Sequence, residues 1–381
     1  MGPRLRICLG ALLVMCFACD ATPKEDSPPQ DRSPERDRRE SEEKEQSSKS
    51  ESDEAPSKSE DSSDRESERA SAGDSARPSE SEDGPSESAG VQIHMVANDP
   101  MIQGPMDATP GPDGEVVYFT ATAATDDADG LPTTLPGVYR TGANGGEIVR
   151  MCEGAPLVSP TGIAVSLDGE TLFLADPGIA NGGALLRGPA GETTDCPEPL
   201  AATVGMAPRG VVVAEVDGEE VVFFTGQVPE SGSPGLFRLD GDVAEEVASG
   251  APFAAPAGVV VASDGAAYVI DALASNGVAA LLRVDAQGEV DTVVGGLGVG
   301  FPAGITLEMS ESSALVSGLS PETGRDVVYV VDLDSAEVST VTDTVDAFAE
   351  PAGLHRAHNR NVFAWADSEA NDTGTVYVLE L

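Results

Sequence analysis

Six oxygen-bearing side chains stand at equivalent places in six similar segments of this 381-residue chain. Each follows a short apolar run, such as the TLFLA that precedes Asp176. The six are Thr120, Asp176, Thr225, Asp271, Ser317 and Asp367, so carboxylates alternate with hydroxyls. Hard oxygen ligands that converge on one point suit Ca²⁺. Alternatively, each aspartate accepts hydrogen bonds from the backbone N–H groups of its own loop, as in Asx turns.

The calcium interpretation predicts one site built from four carboxylates. Asp107, near the start of the first segment, joins Asp176, Asp271 and Asp367 in this set. A bound Ca²⁺ could polarise a carbonyl or activate water, so the matching activity would be a hydrolysis. The catalytic residues themselves stay unassigned at this stage.

Histidines are too few to suggest another catalytic arrangement. His94, His355 and His358 are the only ones, and no nucleophile–histidine–carboxylate set is evident. His355 and His358 form an H-x-x-H pair, which suits either a metal ion or two partly exposed polar residues.

The elements that position these side chains come from a sequence repeat. A Pro-x-Gly step followed by β-branched residues recurs every 46–55 residues. The copies begin at Pro105, Pro160, Pro208, Pro256, Pro302 and Pro351, and the first lacks the glycine. Turn residues then separate a second, a third and a weaker fourth strand. Four short strands at this spacing are typical of a β-propeller blade, and no segment has a sustained helical period. We therefore predict an all-β, six-bladed β-propeller.

Closure of the ring is predicted from the two ends of the repeat region. The sixth unit stops at Leu381, directly after its third strand. Residues 91–96 have strand character and precede the first unit. Pairing the two would remove exposed strand edges, so we assign the propeller to residues 91–381, closed by an N-terminal strand.

The second unit carries a resemblance to known families. Its PTGIAV, followed by Leu167-Asp168-Gly169 and LFLAD, resembles the repeat of NHL propellers and of the gluconolactonase/senescence-marker-protein superfamily. The resemblance implies the fold, and in gluconolactonases it implies a calcium site made by a glutamate, asparagines and an aspartate. Asp271 matches that aspartate. The first blade has Met106-Asp107 instead of glutamate, and the asparagine positions hold Thr161, Arg209, Ala257, Ala303 and Ala352. These departures argue against that activity.

Large apolar residues precede most Pro-x-Gly steps. They are Ile102, Leu157, Met206, Phe253, Phe301 and Phe348. Such residues either form an apolar rim for a peptide or glycan, or pack between adjacent blades. We expect packing, and we expect the single Trp365 to lie in the core.

Two cysteines, Cys152 and Cys196, occupy similar places near the fourth strands of the first two units. An oxidising compartment favours a disulfide between them. Divergence of neighbouring outer strands opposes one, because bonding needs Cα atoms within about 7 Å. Both outcomes remain open at the level of sequence.

The sequence of the first 90 residues predicts an export signal followed by a flexible tether. Residues 1–19 join a short cationic head to a 12-residue apolar run, as in a secretory signal. The run ends CFAC, which resembles a bacterial lipoprotein signal with Cys19 as the lipidated residue. The alternative is an ordinary cleaved signal. Residues 20–90 are rich in Ser, Glu, Asp, Arg and Pro and predict a disordered spacer.

Charge restricts the partners. The chain has 66 acidic and 22 basic residues, and no lysine follows Lys58. Nucleic acid is excluded as a partner, because binding phosphates needs clustered Lys and Arg. Membrane contact is expected only through the N-terminal lipid. The sequence thus predicts an exported, lipid-anchored monomer that binds a protein or glycan of the cell envelope. The alternative, which the resemblance to gluconolactonases implies, is a calcium-dependent hydrolase of the lactonase or esterase type with its site at the mouth of the propeller channel.

Overall fold

The structure, a computed structural model, describes residues 91–126, 130–191, 195–341 and 350–381, which are nearly all β. Their strands form six four-stranded antiparallel sheets, which confirms the predicted six-bladed propeller. Two single-turn 3₁₀ helices, Ala201–Thr203 and Ala370–Asp372, interrupt them. Within this described part, no helix is long and apolar enough to cross a membrane. The predicted signal segment with Cys19 and the predicted tether lie outside the described residues.

Each blade uses consecutive strands, except for the last. The first strand of the chain, β1 (Gln92–Ala97), belongs to blade 6. Blade 1 holds β2 (Ile102–Pro110), β3 (Val116–Asp126), β4 (Pro132–Gly142) and β5 (Val149–Glu153). Blade 2 holds β6 (Gly162–Val165), β7 (Thr171–Asp176), β8 (Ala184–Pro189) and β9 (Glu198–Pro199). Blade 3 holds β10 (Val211–Val216), β11 (Glu219–Gln227), β12 (Pro234–Asp240) and β13 (Val243–Ser249). Blade 4 holds β14 (Pro256–Val261), β15 (Ala267–Ser275), β16 (Val278–Val284) and β17 (Val290–Leu297). Blade 5 holds β18 (Ile305–Leu307), β19 (Ser313–Leu319), β20 (Asp326–Asp332) and β21 (Val338–Thr340). Blade 6 holds β22 (Pro351–Arg356), β23 (Val362–Asp367) and β24 (Thr375–Glu380), with β1 outermost.

The ring closes as the sequence predicts. Strand β1 pairs antiparallel with β24, with Gln92 opposite Glu380 and Met95 opposite Tyr377. The first and last strands of the described residues therefore lie in the same sheet. Unpaired N–H and C=O groups of the last blade find partners, and an aggregation-prone edge is avoided.

Packing between blades accounts for the apolar strands. The second strand of each blade lies inside its sheet with a neighbouring blade on either face, so both of its faces are apolar. In β7, Leu172, Phe173 and Leu174 are at most 5% exposed. Trp365 is 1% exposed and stacks on Tyr377 at 4.8 Å between ring centroids, which confirms its predicted core position. Full burial of one such side chain stabilises the fold by about 1.5–3 kcal/mol.

The glycines of the Pro-x-Gly steps are explained by the close approach of neighbouring first strands. A Cβ atom added to Gly162 would lie 2.5 Å from the Arg209 carbonyl oxygen of the next blade. At Gly210 it would overlap the Ala257 carbonyl more severely. Contacts under 3.0 Å are essentially never seen for real Cβ atoms. The repeat therefore needs glycine because the first strands meet backbone to backbone around a narrow central channel.

Turns that join the first and second strands also tie neighbouring blades together. The Leu167 N–H donates to Glu220 Oε2 at 2.8 Å, which links blades 2 and 3. The Met309 N–H donates to Asn361 Oδ1 at 3.0 Å, which links blades 5 and 6. These bonds brace the channel mouth that the turns surround, which we call the turn-side mouth. The opposite mouth, surrounded by the loops that lead into the first strands, is the loop-side mouth.

A disulfide joins Cys152 at the end of blade 1 to Cys196 in blade 2. Their Cα atoms are 5.1 Å apart, so the two outer segments remain close enough to be bridged. The bond closes a loop between residues 44 positions apart and ties the first two blades together at their periphery.

Candidate functional site

Three of the four predicted calcium ligands are hydrogen-bonded to backbone N–H groups of their own blades. Asp176 accepts from Val158 at 2.8 Å, Ser159 at 3.0 Å and Gly178 at 2.9 Å. The carboxylate thereby joins the loop that leads into the first strand to the loop that leaves the second. The Asp176 side chain is fully buried, and its pattern of acceptors is that of an Asx-type turn.

Asp271 and Asp367 repeat this arrangement. Asp271 accepts from Ala254, Ala255 and Leu273, and Asp367 accepts from Glu350, Glu369 and Ala370. Hydrogen bonds to charged groups contribute about 1.5–3 kcal/mol each, so these carboxylates are strong organisers of the loop-side face. Among the described residues, no three His, Cys, Asp or Glu side chains are grouped to hold a metal ion. Calcium binding stays a prediction.

Two hydroxyl members of the same set act between blades. Thr225 Oγ1 accepts from the Gly210 N–H at 2.9 Å and donates to the Ala257 carbonyl of blade 4 at 2.6 Å. Ser317 joins blades 5 and 6 in the same way, through Gly304 and Ala352. The three carboxylates of the alternating set therefore bind loop backbone, and two of its hydroxyls link blades, whereas Thr120 Oγ1 is buried without a hydrogen-bond partner among the described residues.

Asp107 behaves differently because it occupies the glycine position of the repeat. It aligns with Gly353, and a Cβ atom added to Gly353 would collide with the Asp107 carboxylate. Asp107 Oδ1 accepts from the Ala108 N–H, and Oδ2 accepts from the Ile163 N–H, both at 2.8 Å. The side chain is 3% exposed. A carboxylate thus fills the channel centre, where the other blades leave only backbone.

His355 completes a pair with Asp107. Its Nε2 atom lies 3.0 Å from Asp107 Oδ2, and its side chain is 12% exposed. Nδ1 makes no hydrogen bond within the described part of the chain, and it remains able to interact with a ligand. This pair, separated by 248 positions, joins the last blade to the first.

Sequence reasoning named Asp107 and His355 separately but missed their pairing. The signal was present in the repeat alignment. Asp107 replaces the recurring glycine, and His355 stands where the other units have Thr, Ala or Val. Both residues depart from the repeat, and they face each other. This indicates that they serve a function that the equivalent residues of the other units do not share.

A cavity of about 480 Å³ opens at the turn-side mouth, with His355 in its lining. Blades 3 to 6 form its walls. Beyond His355, the channel narrows to a free volume of about 10 Å³, which holds no more than one water. The Asp107–His355 pair therefore lies at the floor of a blind cavity.

One wall of this cavity is basic. His355, Arg356 and His358 line it, and they are three of the twelve Arg and His side chains in residues 91–381. The Arg356 guanidinium donates to the Leu307 carbonyl at 2.7 Å and the Ala357 carbonyl at 2.8 Å, which holds it in place. Burial lowers the pKa of Arg356. Burial, followed by the nearby Arg356 charge, lowers the pKa of His358.

Acidic side chains line other parts of the cavity. They are Glu215 and Asp217 of blade 3 and Glu311 of blade 5. Glu311 accepts from the Ser263 N–H at 3.0 Å and from its hydroxyl at 2.7 Å, which fixes the carboxylate across two blades. A cavity lined by both basic and acidic side chains suits a polar ligand that carries both donors and acceptors.

Of the apolar residues before the Pro-x-Gly steps, most pack between blades as predicted. Leu157, Met206 and Phe253 are 4–6% exposed. Phe301 is 43% exposed and lies under the Arg209 guanidinium, 5.6 Å from the ring centroid. It lies at the loop-side mouth and contradicts the packing prediction for this position. Phe348 lies outside the described residues.

The fold defines a class, the six-bladed β-propellers. No protein-family model matches the chain, and no curated protein matches its sequence. A protein of unknown function from Dyadobacter fermentans is similar in structure, with a TM-score of 0.55 and 12% identity over 77% of this chain and all of that one. A putative TolB from Agrobacterium tumefaciens has a TM-score of 0.49 and 13% identity, over 76% of this chain and 96% of that one. The β-propeller domain of Cps50 (Swd1) from Myceliophteria thermophila has a TM-score of 0.44 and 9% identity, over 76% and 100%.

Proposed function

We propose that residues 91–381 form a binding module whose ligand site is the turn-side cavity. The observation that carries the proposal is the cavity itself, about 480 Å³ with a buried carboxylate–imidazole pair at its floor. Its volume is within the range of about 300–1,000 Å³ usual for ligand sites. The ligand is a polar group of an envelope protein or glycan, held by the basic and acidic side chains of the cavity.

The proposal includes a place in the cell. The chain is exported, is anchored through lipid on Cys19, and holds its propeller away from the membrane on the 20–90 tether as a monomer. The signal-like segment and the Cys152–Cys196 disulfide support this, since such bonds persist in oxidising compartments. Cys19→Ser should move the protein from the membrane to the soluble fraction and abolish labelling by palmitate. Retention in the membrane would contradict the anchor.

The three histidines provide a direct test of the cavity. His355 and His358 line it, whereas His94 lies on β1 and contacts the Ala143 carbonyl at 2.7 Å. A panel of saccharides and short peptides, added to the full chain, should shift the imidazole NMR resonances of the first two residues and leave His94 unchanged.

Matched variants then locate the binding. Val212→Phe places a larger side chain in the cavity lining, whereas Val243→Phe makes the same change at an outer strand position that is 57% exposed. Val212→Phe should abolish the shifts and Val243→Phe should preserve them. Unchanged binding by Val212→Phe would refute the site.

A calcium-dependent lactonase or esterase is the second candidate. It is favoured by the buried Asp107–His355 pair, whose imidazole could accept a proton from water. It is opposed by the backbone bonds that occupy Asp176, Asp271 and Asp367. Calorimetric titration of Ca²⁺ into chelator-treated protein decides between the binding module and the hydrolase. One saturable site, coupled to lactone or ester hydrolysis that His355→Gln abolishes, would establish the enzyme.

A further inference from the structure

Arg209 is the only charged residue at the middle position of a Pro-x-Gly step. The corresponding residues of the other blades are Met106, Thr161, Ala257, Ala303 and Ala352. Arg209 is partly buried at the loop-side mouth, opposite to the turn-side cavity. We propose that Arg209 and Phe301 form a second binding site, which takes the C-terminal carboxylate of a peptide with an apolar last residue.

The Arg209 backbone is held rigidly. Its N–H donates to the Thr225 carbonyl at 3.0 Å, and its carbonyl accepts from Thr161 Oγ1 at 3.0 Å. The side chain extends from blade 3 to Phe301 at the entry to blade 5. The guanidinium therefore lies at the loop-side mouth, on a residue whose backbone is held in place by hydrogen bonds.

No carboxylate among the described residues is hydrogen-bonded to this guanidinium. Asp271 is close enough to raise its pKa, but burial has the larger effect and lowers that pKa overall. Both Asp271 oxygens already accept from backbone N–H groups. Glu350 Oε1 accepts from the Phe301 N–H at 3.2 Å. The donors of a partly desolvated cation are therefore available to an external anion.

The guanidinium edge sets the geometry of that anion. Arg209 Cζ lies 5.6 Å from the Phe301 ring centroid, within the range of a cation–π interaction, which uses none of the N–H donors on the guanidinium edge. The edge offers two parallel N–H donors, which match the two oxygens of a carboxylate. A planar, bidentate carboxylate is the group that fits.

The surroundings favour a peptide with an apolar side chain. Phe301, Val158 and Leu273 are 43%, 54% and 51% exposed on this face. The Val158 and Leu273 backbones are fixed by the Asp176 and Asp271 carboxylates at 2.8 and 2.9 Å. These three exposed apolar side chains suit an apolar side chain next to the carboxylate better than they suit the hydroxyls of a uronic acid. The carboxylates first considered as calcium ligands thus organise this surface.

A pair of peptides tests the site in the full chain. Acetyl-Gly-Leu-Phe with a free C-terminus should bind at least tenfold more tightly than the same peptide with a C-terminal amide. Arg209→Gln should remove that difference in affinity. Arg209→Lys should retain only part of it, because lysine keeps the charge but lacks the two parallel N–H donors of arginine. Arg187→Gln, at an arginine that is 48% exposed beside Asp242, is the matched control and should bind like the unaltered protein.

Arginine NMR locates the contact independently of affinity. The free-acid peptide should shift the Nε–Hε resonance of Arg209, and Phe301→Leu should weaken the binding severalfold. Equal binding of acid and amide, or unchanged binding by folded Arg209→Gln, would overturn the proposal. Galacturonate that binds as tightly as the peptide would overturn the peptide assignment. Val212→Phe should leave this binding intact, which separates the site from the turn-side cavity.

Discussion

Replacement of Asp107 by Asn should destabilise the propeller more than its nearly equal size suggests. All three groups around the carboxylate can donate hydrogen bonds: the Ala108 and Ile163 N–H groups at 2.8 Å and His355 Nε2 at 3.0 Å. Asparagine supplies one acceptor oxygen and one donor group. In either orientation of the amide, a buried backbone N–H therefore faces another donor.

The magnitude follows from these contacts. One orphaned buried N–H costs about 1–3 kcal/mol, and each hydrogen bond to the charged group adds about 1.5–3 kcal/mol that asparagine only partly retains. We expect Asp107→Asn to lower the free energy of unfolding by about 2–4 kcal/mol in urea, with the disulfide kept oxidised. Asp242→Asn makes the same chemical change at a side chain that is 84% exposed. That control should stay within about 0.5 kcal/mol of the unaltered protein.

A double-mutant cycle isolates the contribution of the pair. If the contact is as described, Asp107→Asn and His355→Gln should be coupled by about 0.5–3 kcal/mol, as expected for residues that share a hydrogen bond. Additive effects, or equal stabilities of the Asp107→Asn and Asp242→Asn proteins, would refute the account of the channel centre.

Three other predictions test the fold and its charges. Gly210→Ala should lower the free energy of unfolding in urea by about 1–3 kcal/mol, because its Cβ atom meets the Ala257 carbonyl. Gly191→Ala is the control and should be neutral or slightly stabilising, because a Cβ atom there has open space. Equal effects of the two substitutions would be inconsistent with the close approach of first strands. Asp271→Asn should lower the melting temperature by the same amount with Ca²⁺ or with chelator, since its oxygens bind backbone N–H groups, and a loss seen only with Ca²⁺ would restore the calcium site. Burial raises the pKa of Glu350, so its ionisation opposes folding above the ordinary pKa of 4.5. Glu350→Gln should raise the melting temperature at pH 7, with a gain that disappears as the pH falls below that value, and a gain independent of pH would contradict this origin.

Most of the architecture could be predicted from local patterns. Each blade repeats one short-range arrangement of apolar runs and turn residues, and neighbouring strands of a blade are close in sequence. The one long-range pairing that was predicted, β1 with β24, follows from counting strands. The sixth unit lacks its fourth strand, and residues 91–96 are the strand left over to pair with its open edge.

The candidate sites could be predicted only in part. Asp176 and Asp271 were identified as loop-organising or metal-binding from their recurrence, and the choice between these roles depends on where backbone N–H groups point. The exposure of Phe301 was missed because equivalent residues such as Phe253 pack between blades. A repeat predicts the shared role of a position and says little about the member that departs from it.

The sequence by itself determined the number of blades, the closing strand and the glycines where first strands meet. These features follow from short sequence patterns, namely the number of repeats and the position in each repeat that has no room for a side chain. Only the tertiary structure decided that Asp107 lies against His355 at the floor of a cavity, and that Arg209 reaches Phe301 across the opposite mouth. Both pairs come from different blades. Their meeting depends on the curvature of the closed ring and on the narrowness of its channel, which result from all six blade interfaces together.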